Sequence, residues 1–477
     1  MSDITSALLA LASLLVLVLV WSKPSVRSNI PLVSYWIPFL GSSLAFSKDP
    51  IAFLNQCQAT HGSVFTVLLA GKRMTFFTSP KHYATILKSK TLSHKPVFSE
   101  IEQVAFGQDP TFTHYRNDLR KTDANLTRFN ALPTPYLANR GAVVDLIQRT
   151  FGCQRAVLAT LAPQTHIVSL LTLVEHAIFA SGSAAMFGET VLAAHPCMAD
   201  DFLAFDAAFP LLVAGCVPSV FLSKAMASRQ RLIDAFKAAP LTDGAPLVQA
   251  RAAALPTLAC GSATDRASCH LEILWAASAN SIPTAFWALF HLLATPAALT
   301  AVRDEIDAHL DKTPLADTAA APWTQEMLQK CVLLDSTIDE CLRLAASSML
   351  LRVAVEPTDM VLDKTTYHFE KGDRIAIFPS LGHFDPTLFP DPTRFQYDRF
   401  VHATKAQLEA FKPFGMGANM CPGRYFAKNQ IKMWVALVLQ HLPSLRLVPG
   451  FAPPTFDPSR LGLGVIPPAD HAIHVEF

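Results

Sequence analysis

An almost wholly apolar run covers residues 4–21, with Asp3 before it and Lys23 and Arg27 after it. As a helix these eighteen residues would extend about 27 Å, enough to cross a bilayer core. The cations after the run predict that the rest of the chain stays in the cytosol. A cleaved signal peptide is the competing reading. Against it, the run has no basic leading region and no clear cleavage site. The polar, Pro-bearing stretch that follows, with Pro24, Pro31 and Pro38, predicts a stiff hinge over residues 22–47.

Residues 49–61, with Pro50 near the start and Gly62 after the end, predict a helix. Residues 63–69 and 73–78 are β-rich and flank Ala70-Gly71-Lys72, so they predict a hairpin. Ser79-Pro80 opens another helix. From 163 to 255 the chain is rich in Ala and Leu and reads as helical. Phe202, Phe205, Phe209 and Leu212 recur there at helical spacing, Pro210 interrupts, and 242–246 reads as a loop. Residues 272–293 form a long apolar helix with Pro283 at its middle. The missing N–H and the ring clash would free the Ala279 carbonyl, at a cost of ~3 kcal/mol in a plain helix. The result is a polar notch flanked by Ser278, Asn280, Ser281 and Thr284. Further helices are expected from Thr295-Pro296 and over 333–346, and strands over 352–355 and 373–377. This pattern is mostly α with small β-sheets. No linker-like stretch divides 48–477, which reads as one large domain.

Composition narrows the function. Hydrophobic residues make up 51% and charged residues 16%, which fits a membrane-associated or deeply cored protein. The net charge of +1 gives no nucleic-acid footprint. The nine cysteines are odd in number and include no C-x-x-C, so neither a disulfide framework nor a structural zinc site is expected. Most should be small core hydrophobes facing a reducing compartment.

One cysteine stands apart. In Phe414-Gly415-Met416-Gly417-Ala418-Asn419-Met420-Cys421-Pro422-Gly423-Arg424, small residues permit an irregular backbone before Cys421. Pro422 is suited to the first position of the helix predicted after it. The Cys421 sulfur would then face unpaired N–H groups and the positive end of a dipole, which favours thiolate over thiol. Such a thiolate is a soft ligand suited to haem iron.

The spacing of Phe414, Gly417, Cys421 and Gly423 resembles the cytochrome P450 haem-binding signature. Glu340-Cys341-Leu342-Arg343 resembles the family's Glu-x-x-Arg motif, which a later arginine joins; Arg394 is the expected partner. The resemblance covers essentially the whole chain. It implies the P450 fold behind an N-terminal transmembrane helix, with haem b held by Cys421. The implied cofactor contacts are Arg352, Phe414, Gly417, Asn419 and Gly423, with Arg352 on a propionate. Ser348, Leu351 and Leu463 would face substrate. His383 reads equally as a residue near a propionate or a surface histidine. No Trp-x-x-x-Arg/Lys pattern occurs between 106 and 139. Arg116, Arg120 and Lys121 there read as a solvated helical face.

The notch departs from the family's usual acid and threonine, with Ile282 and Pro283 in their places. The stretch from Trp275 to Trp287 instead resembles the branch of cholesterol and oxysterol 7α-hydroxylases, sterol 12α-hydroxylase and prostacyclin synthase. Asn280, Ser281 and Thr284 are the candidate catalytic residues. The expected function is a monooxygenase of the endoplasmic reticulum membrane, single-pass with a cytosolic catalytic domain. It would hydroxylate a sterol, steroid or other lipid with O2 and electrons from NADPH through NADPH–cytochrome P450 reductase. Lys412, Arg424, Lys428 and Lys432 would either meet that acidic partner or form a merely solvated face. The alternative is a prostacyclin-synthase-like isomerase of a lipid peroxide, needing no external electrons. A haem-binding sensor without turnover is a third reading.

Overall fold

The structure is a computed structural model that describes residues 29–118, 123–161, 167–215, 217–317 and 321–477. The expected span 4–21 and the start of the hinge lie outside the described residues. The chain divides into two compact units, one ending at Val97 and including Met349–Gly382, the other made of Phe98–Ser348 and His383–Phe477.

The first unit is built on a five-stranded sheet. Its strand order is Val64–Leu69, Lys72–Phe77, Arg374–Ile377, Leu350–Ala354 and Leu92–Ser93. Only the pairing of Lys72–Phe77 with Arg374–Ile377 is parallel. The predicted hairpin forms because Ala70 (φ 45°) and Gly71 (φ 78°) supply the positive φ angles of a tight two-residue turn. Gly71 is also required sterically, since a Cβ there would lie 2.5 Å from the Phe39 ring. The described part of the hinge is packed against this sheet. Ile30 and Val33 are buried, and Val33 N donates to Thr66 O at 2.9 Å. The expected helix runs over Pro50–His61, with Asp49 Oδ1 capping Ala52 N at 2.9 Å and Gly62 (φ 83°) ending it.

The second unit is mostly helical. The long apolar helix of the sequence is two helices, Ala263–Ser278 and Ser281–Ala294, with Asn280 as N-cap of the second. Around them run Leu170–Phe187, Val332–Ala345 and Arg424–His441. Among the described residues two helices are long and apolar enough to cross a membrane, Leu170–Phe187 and the broken Ala263–Ala294. Their apolar windows are 78% and 72% buried inside the protein, as core helices are.

The scaffold turns on a buried ion pair. Arg343 Nε and Nη2 each donate to a Glu340 oxygen at 2.8 Å, and both side chains are 0% exposed. The third member is Arg399, whose Nε reaches Glu340 Oε1 at 3.0 Å. The expected Arg394 is exposed and contributes only its carbonyl, to Arg399 Nη2 at 3.1 Å. The two arginines lie five residues apart in a segment without helix or strand, where no periodicity tells which one points inward. Arg343 Nη1 also holds the carbonyls of His383 and Pro392 at 2.8 and 2.7 Å. His383 is itself buried and neutral, its pKa lowered to about 3 by burial and by Arg343, and its Nε2 accepts from Lys412 N at 3.0 Å.

A second ionic cluster overturns the solvated reading of Arg116. Arg116 is mostly enclosed, donating to both Glu272 oxygens at 2.8 and 3.1 Å and lying 3.4 Å from Glu102. Asn117 Nδ2 also donates to Glu102, at 2.7 Å. Burial pushes the Glu102 pKa up to about 7, with Arg116 pulling against it and Glu272 adding repulsion.

Breaking a buried pair strands a charge. Arg399→Ala should therefore cost about 3–5 kcal/mol in denaturant unfolding, whereas Arg394→Ala should stay within about 0.5 kcal/mol. Equal losses would contradict the assignment. Glu102 favours its protonated form in the folded state. Its stabilisation is thus complete below the unfolded carboxyl pKa of about 4.3 and is lost as pH rises through about 7. Glu102→Gln should flatten the fall in melting temperature across that window. A fall of unchanged size would contradict this.

Candidate active site

The cysteine loop is shaped by two positive-φ glycines, Gly415 (71°) and Gly417 (70°), and a 3₁₀ turn over Gly417–Asn419. Cys421 N donates to Phe414 O at 2.9 Å, closing the loop, and Phe414 packs on the core. The helix begins at Arg424 with Gly423 as N-cap, so Pro422 lies in the turn before it rather than at its first position. Asn419 is exposed on the 3₁₀ turn. A Cβ at Gly423 would come to 3.8 Å from Cys421 Sγ.

The electrostatics of the sulfur correct one expectation. Cys421 is open by surface area but crowded from behind, and that burial raises its pKa. The Gly423 N–H, the Arg424 charge and the Arg424 N–H pull it down without overcoming the burial. Haem iron, when bound, would favour the thiolate, because a coordinating thiol is deprotonated outright. The loop fits haem: an accessible soft donor, backbone N–H groups directed at the sulfur, and glycine beside it. Among the described residues no three His, Cys, Asp or Glu side chains converge as a metal site.

The break in the central helix is more structural than its sequence suggests. Asn280 Oδ1 accepts from Val465 N at 2.8 Å, anchoring the loop near the C-terminus. A Cβ at Gly464 would meet that oxygen at 2.1 Å, which with φ 154° explains the glycine. The Thr284 hydroxyl donates to the Asn280 carbonyl at 2.7 Å and is thereby committed to the backbone. Ser281 is buried, with no side-chain hydrogen bond to the described residues. Of the three candidate catalytic residues, Asn280 and Thr284 thus have side chains engaged within the protein.

Ser348 and Leu463 flank the same loop. Ser348 bridges to Gly462, and Leu463 N donates to Arg460 O at 3.2 Å. Ser347, which the sequence did not single out, holds the loop more firmly: its N donates to Gly464 O at 2.8 Å, and Gly462 N donates to its Oγ at 3.2 Å. Arg352 and Leu351 belong to the first unit. There Arg352 is buried in its strand, Nη1 bonds Leu351 O at 2.8 Å, and burial lowers its pKa.

The expected cationic face loses Lys428 and Lys432 to ion pairs. Lys428 Nζ lies 3.0 Å from Asp335 and 2.8 Å from Asp339, and buried Lys432 lies 3.1 Å from Asp335. Arg424 donates to the carbonyls of Cys421 and Ala138, and Lys412 to that of Leu408. The i,i+4 spacing of Asp335 with Asp339 and of Lys428 with Lys432 was the legible signal of two helices facing each other.

Asn280→Ala should release the Val465 amide and speed its hydrogen exchange roughly 5–10-fold, the loss of about 1 kcal/mol. Asn280→Asp keeps the acceptor and should leave exchange slow. Unchanged exchange in the alanine variant would contradict the anchor.

Comparison with known proteins agrees with this geometry. The cytochrome P450 family model matches residues 31–213 and 262–473. Mouse cytochrome P450 7B1 is 31% identical over 94% of this chain and 90% of its own length. Rabbit cytochrome P450 7A1 is 32% identical over 92% and 91%, and a human 7-alpha-hydroxycholest-4-en-3-one 12-alpha-hydroxylase is 29% identical over 92% and 91%. Among solved structures, retinoic acid bound cyanobacterial CYP120A1 superposes with a TM-score of 0.67 at 19% identity, covering 94% of this chain and 99% of that one. The chain belongs to the cytochrome P450 family: it is a haem-thiolate monooxygenase, with Cys421 as the residue that ligates haem b.

Proposed function

We propose that this monooxygenase hydroxylates a sterol or a steroid-like lipid at a membrane, using O2 and electrons delivered from NADPH by NADPH–cytochrome P450 reductase. The observation that carries the reading is the broken helix. A helix break at Asn280, Pro283 in the next turn and an asparagine-anchored C-terminal loop occur in a chain aligned over 92% of its length with enzymes named for 7α- and 12α-oxidation of sterols. Rat 25-hydroxycholesterol 7-alpha-hydroxylase adds 36% identity over 51% of the chain.

Haem b, when bound, supplies iron chemistry in which the thiolate pushes electron density onto the metal and favours O–O cleavage. The chain's own residues hold and frame it. Cys421 would hold the iron, and the buried Arg352 guanidinium is suited to a propionate through charge-assisted hydrogen bonds. Asn280 fixes the loop bearing Leu463, which with Ser348 and Leu351 would contact the substrate. Ile282 and Pro283 leave the break without a carboxylate, so Ser281 Oγ is the protein group there able to hold and pass a proton. The apolar run 4–21 supports a single-pass anchor in the endoplasmic reticulum membrane with residues 48–477 as a cytosolic catalytic domain. Exposed Trp36, Phe39 and Leu44 of the first unit add an apolar surface suited to a lipid interface.

Membranes carrying the protein should be given a sterol panel and a lipid endoperoxide, each with and without NADPH and reductase. The expected outcome is hydroxylated sterol that requires NADPH and is abolished by Cys421→Ser. Rearranged endoperoxide formed without NADPH would overturn the monooxygenation of sterols in favour of peroxide isomerisation.

A further inference from the structure

Residues 456–468 form a loop closed at its neck by the pairing of Phe456 with Pro468 and by Asp457 N donating to Pro467 O at 3.0 Å. One flank is tied many times over. Ser347 and Asn280 hold it as described, Ile466 N donates to Ala345 O at 2.9 Å, and Trp287 Nε1 donates to Ile466 O at 2.8 Å. The other flank carries a different attachment. Arg460, on a 3₁₀ turn capped by Asp457, is buried and reaches across to the helix Met198–Ala214.

The receiving group is Asp206, and Pro210 prepares it. Proline has no N–H, so in this helix the carbonyl four residues earlier, that of Asp206, lacks its usual donor. Arg460 Nη1 donates to that carbonyl at 2.8 Å. Its Nη2 takes both oxygens of the Asp206 carboxylate, at 3.0 and 2.9 Å. One guanidinium thus satisfies the backbone carbonyl that Pro210 leaves open and the side chain of the same residue. The Asp206 carboxylate also accepts from Trp275 Nε1 at 2.7 Å, on the helix that ends at the break. Trp275 stacks on Phe209 with centroids 4.0 Å apart, and Phe106 packs edge-on against both rings.

Three elements therefore converge on one carboxylate: the helix Met198–Ala214, the helix Ala263–Ser278 and the C-terminal loop. Between Arg460 and Asn280 the loop presents Leu463. We propose that Arg460 and Asp206 are positioning residues for the substrate: their two-pronged clasp sets how far the loop 461–466 stands from the helix Met198–Ala214, and so selects which substrate carbon is oxidised. The inference rests on the sterol reading for the identity of the substrate. Neither residue takes part in the chemistry. Loosening the clasp should spread the products over more positions and raise KM, with total turnover nearly kept, as expected for lost ground-state positioning rather than lost chemistry.

The test compares the wild-type holoprotein with Arg460→Gln, Arg460→Lys and Pro210→Ala in membranes with reductase, NADPH and a sterol. Arg460→Gln should change the ratio of hydroxylated products by about 10-fold, the discrimination a single well-placed contact carries. Arg460→Lys keeps the charge without the fork and should fall between. Pro210→Ala leaves every charge in place and gives the Asp206 carbonyl an internal donor. It should shift the ratio the same way by less, and it keeps the inference testable if the Arg460 variants fail to bind haem. Hydrogen exchange over 457–466, read on the substrate-free holoprotein, should rise in the same rank order. A product ratio unchanged in Arg460→Gln and Pro210→Ala overturns the positioning role, even if exchange rises. A wild type that oxidises no sterol overturns the sterol reading instead, and unchanged exchange in Arg460→Gln then overturns the clasp independently of substrate.

Discussion

The buried Glu340 carboxylate is the constraint from which the catalytic unit is assembled. A charge with no exposure must be matched in place, and it is matched by Arg343 on its own helix and Arg399 beyond it, with Gln396 N donating at 3.1 Å. Arg343 then holds the carbonyls of His383 and Pro392, and His383 holds Lys412 N. The stretch from 384 to 423 has little regular structure of its own, and this chain of contacts orders it. Cys421 stands at its end. The energetic logic is that of an uncompensated ion, several kcal/mol per lost partner, and the consequence is a fixed place for one sulfur.

Two prolines do related work in the same unit. Pro283 stands in the first turn after the break, and Asn280 uses its place at that turn to hold Val465. Pro210 opens a carbonyl inside a continuous helix, which Arg460 closes from outside. In both cases a defect in helix hydrogen bonding becomes the point where the C-terminal loop is attached. The loop has almost no secondary structure to hold its shape, so its position is set by these attachments.

Much of this was legible in the sequence, and the failures have physical causes. Local rules worked where local forces decide: Pro50 and Gly62 as the ends of a helix, Ala70-Gly71 as a turn, Pro283 as an interruption, and the glycines before Cys421. The cofactor and its ligand followed from the family resemblance that the residues around Cys421 carry. What failed depended on which way a side chain points after the chain has folded. Arg394 and Arg399 are indistinguishable in an irregular segment. The hydrogen bonds of Asn280 and Thr284 were not legible because their partners lie far along the chain or on the backbone. Lys428 and Lys432 resembled a cationic face until Asp335 and Asp339, on another helix, were seen to neutralise them. The burial behind Cys421, which works against the N–H groups around its sulfur, was not legible either.

The central claim is that Cys421 ligates haem iron as a thiolate. The most direct measurement is the absorption spectrum of the reduced, carbon monoxide-bound holoprotein, wild type against Cys421→His. The account predicts the red-shifted Soret band of a thiolate-ligated haem in the wild type and its replacement by the shorter-wavelength band of an imidazole-ligated haem in the variant. A wild-type spectrum of the imidazole kind, or one that Cys421→His leaves unchanged, would contradict it.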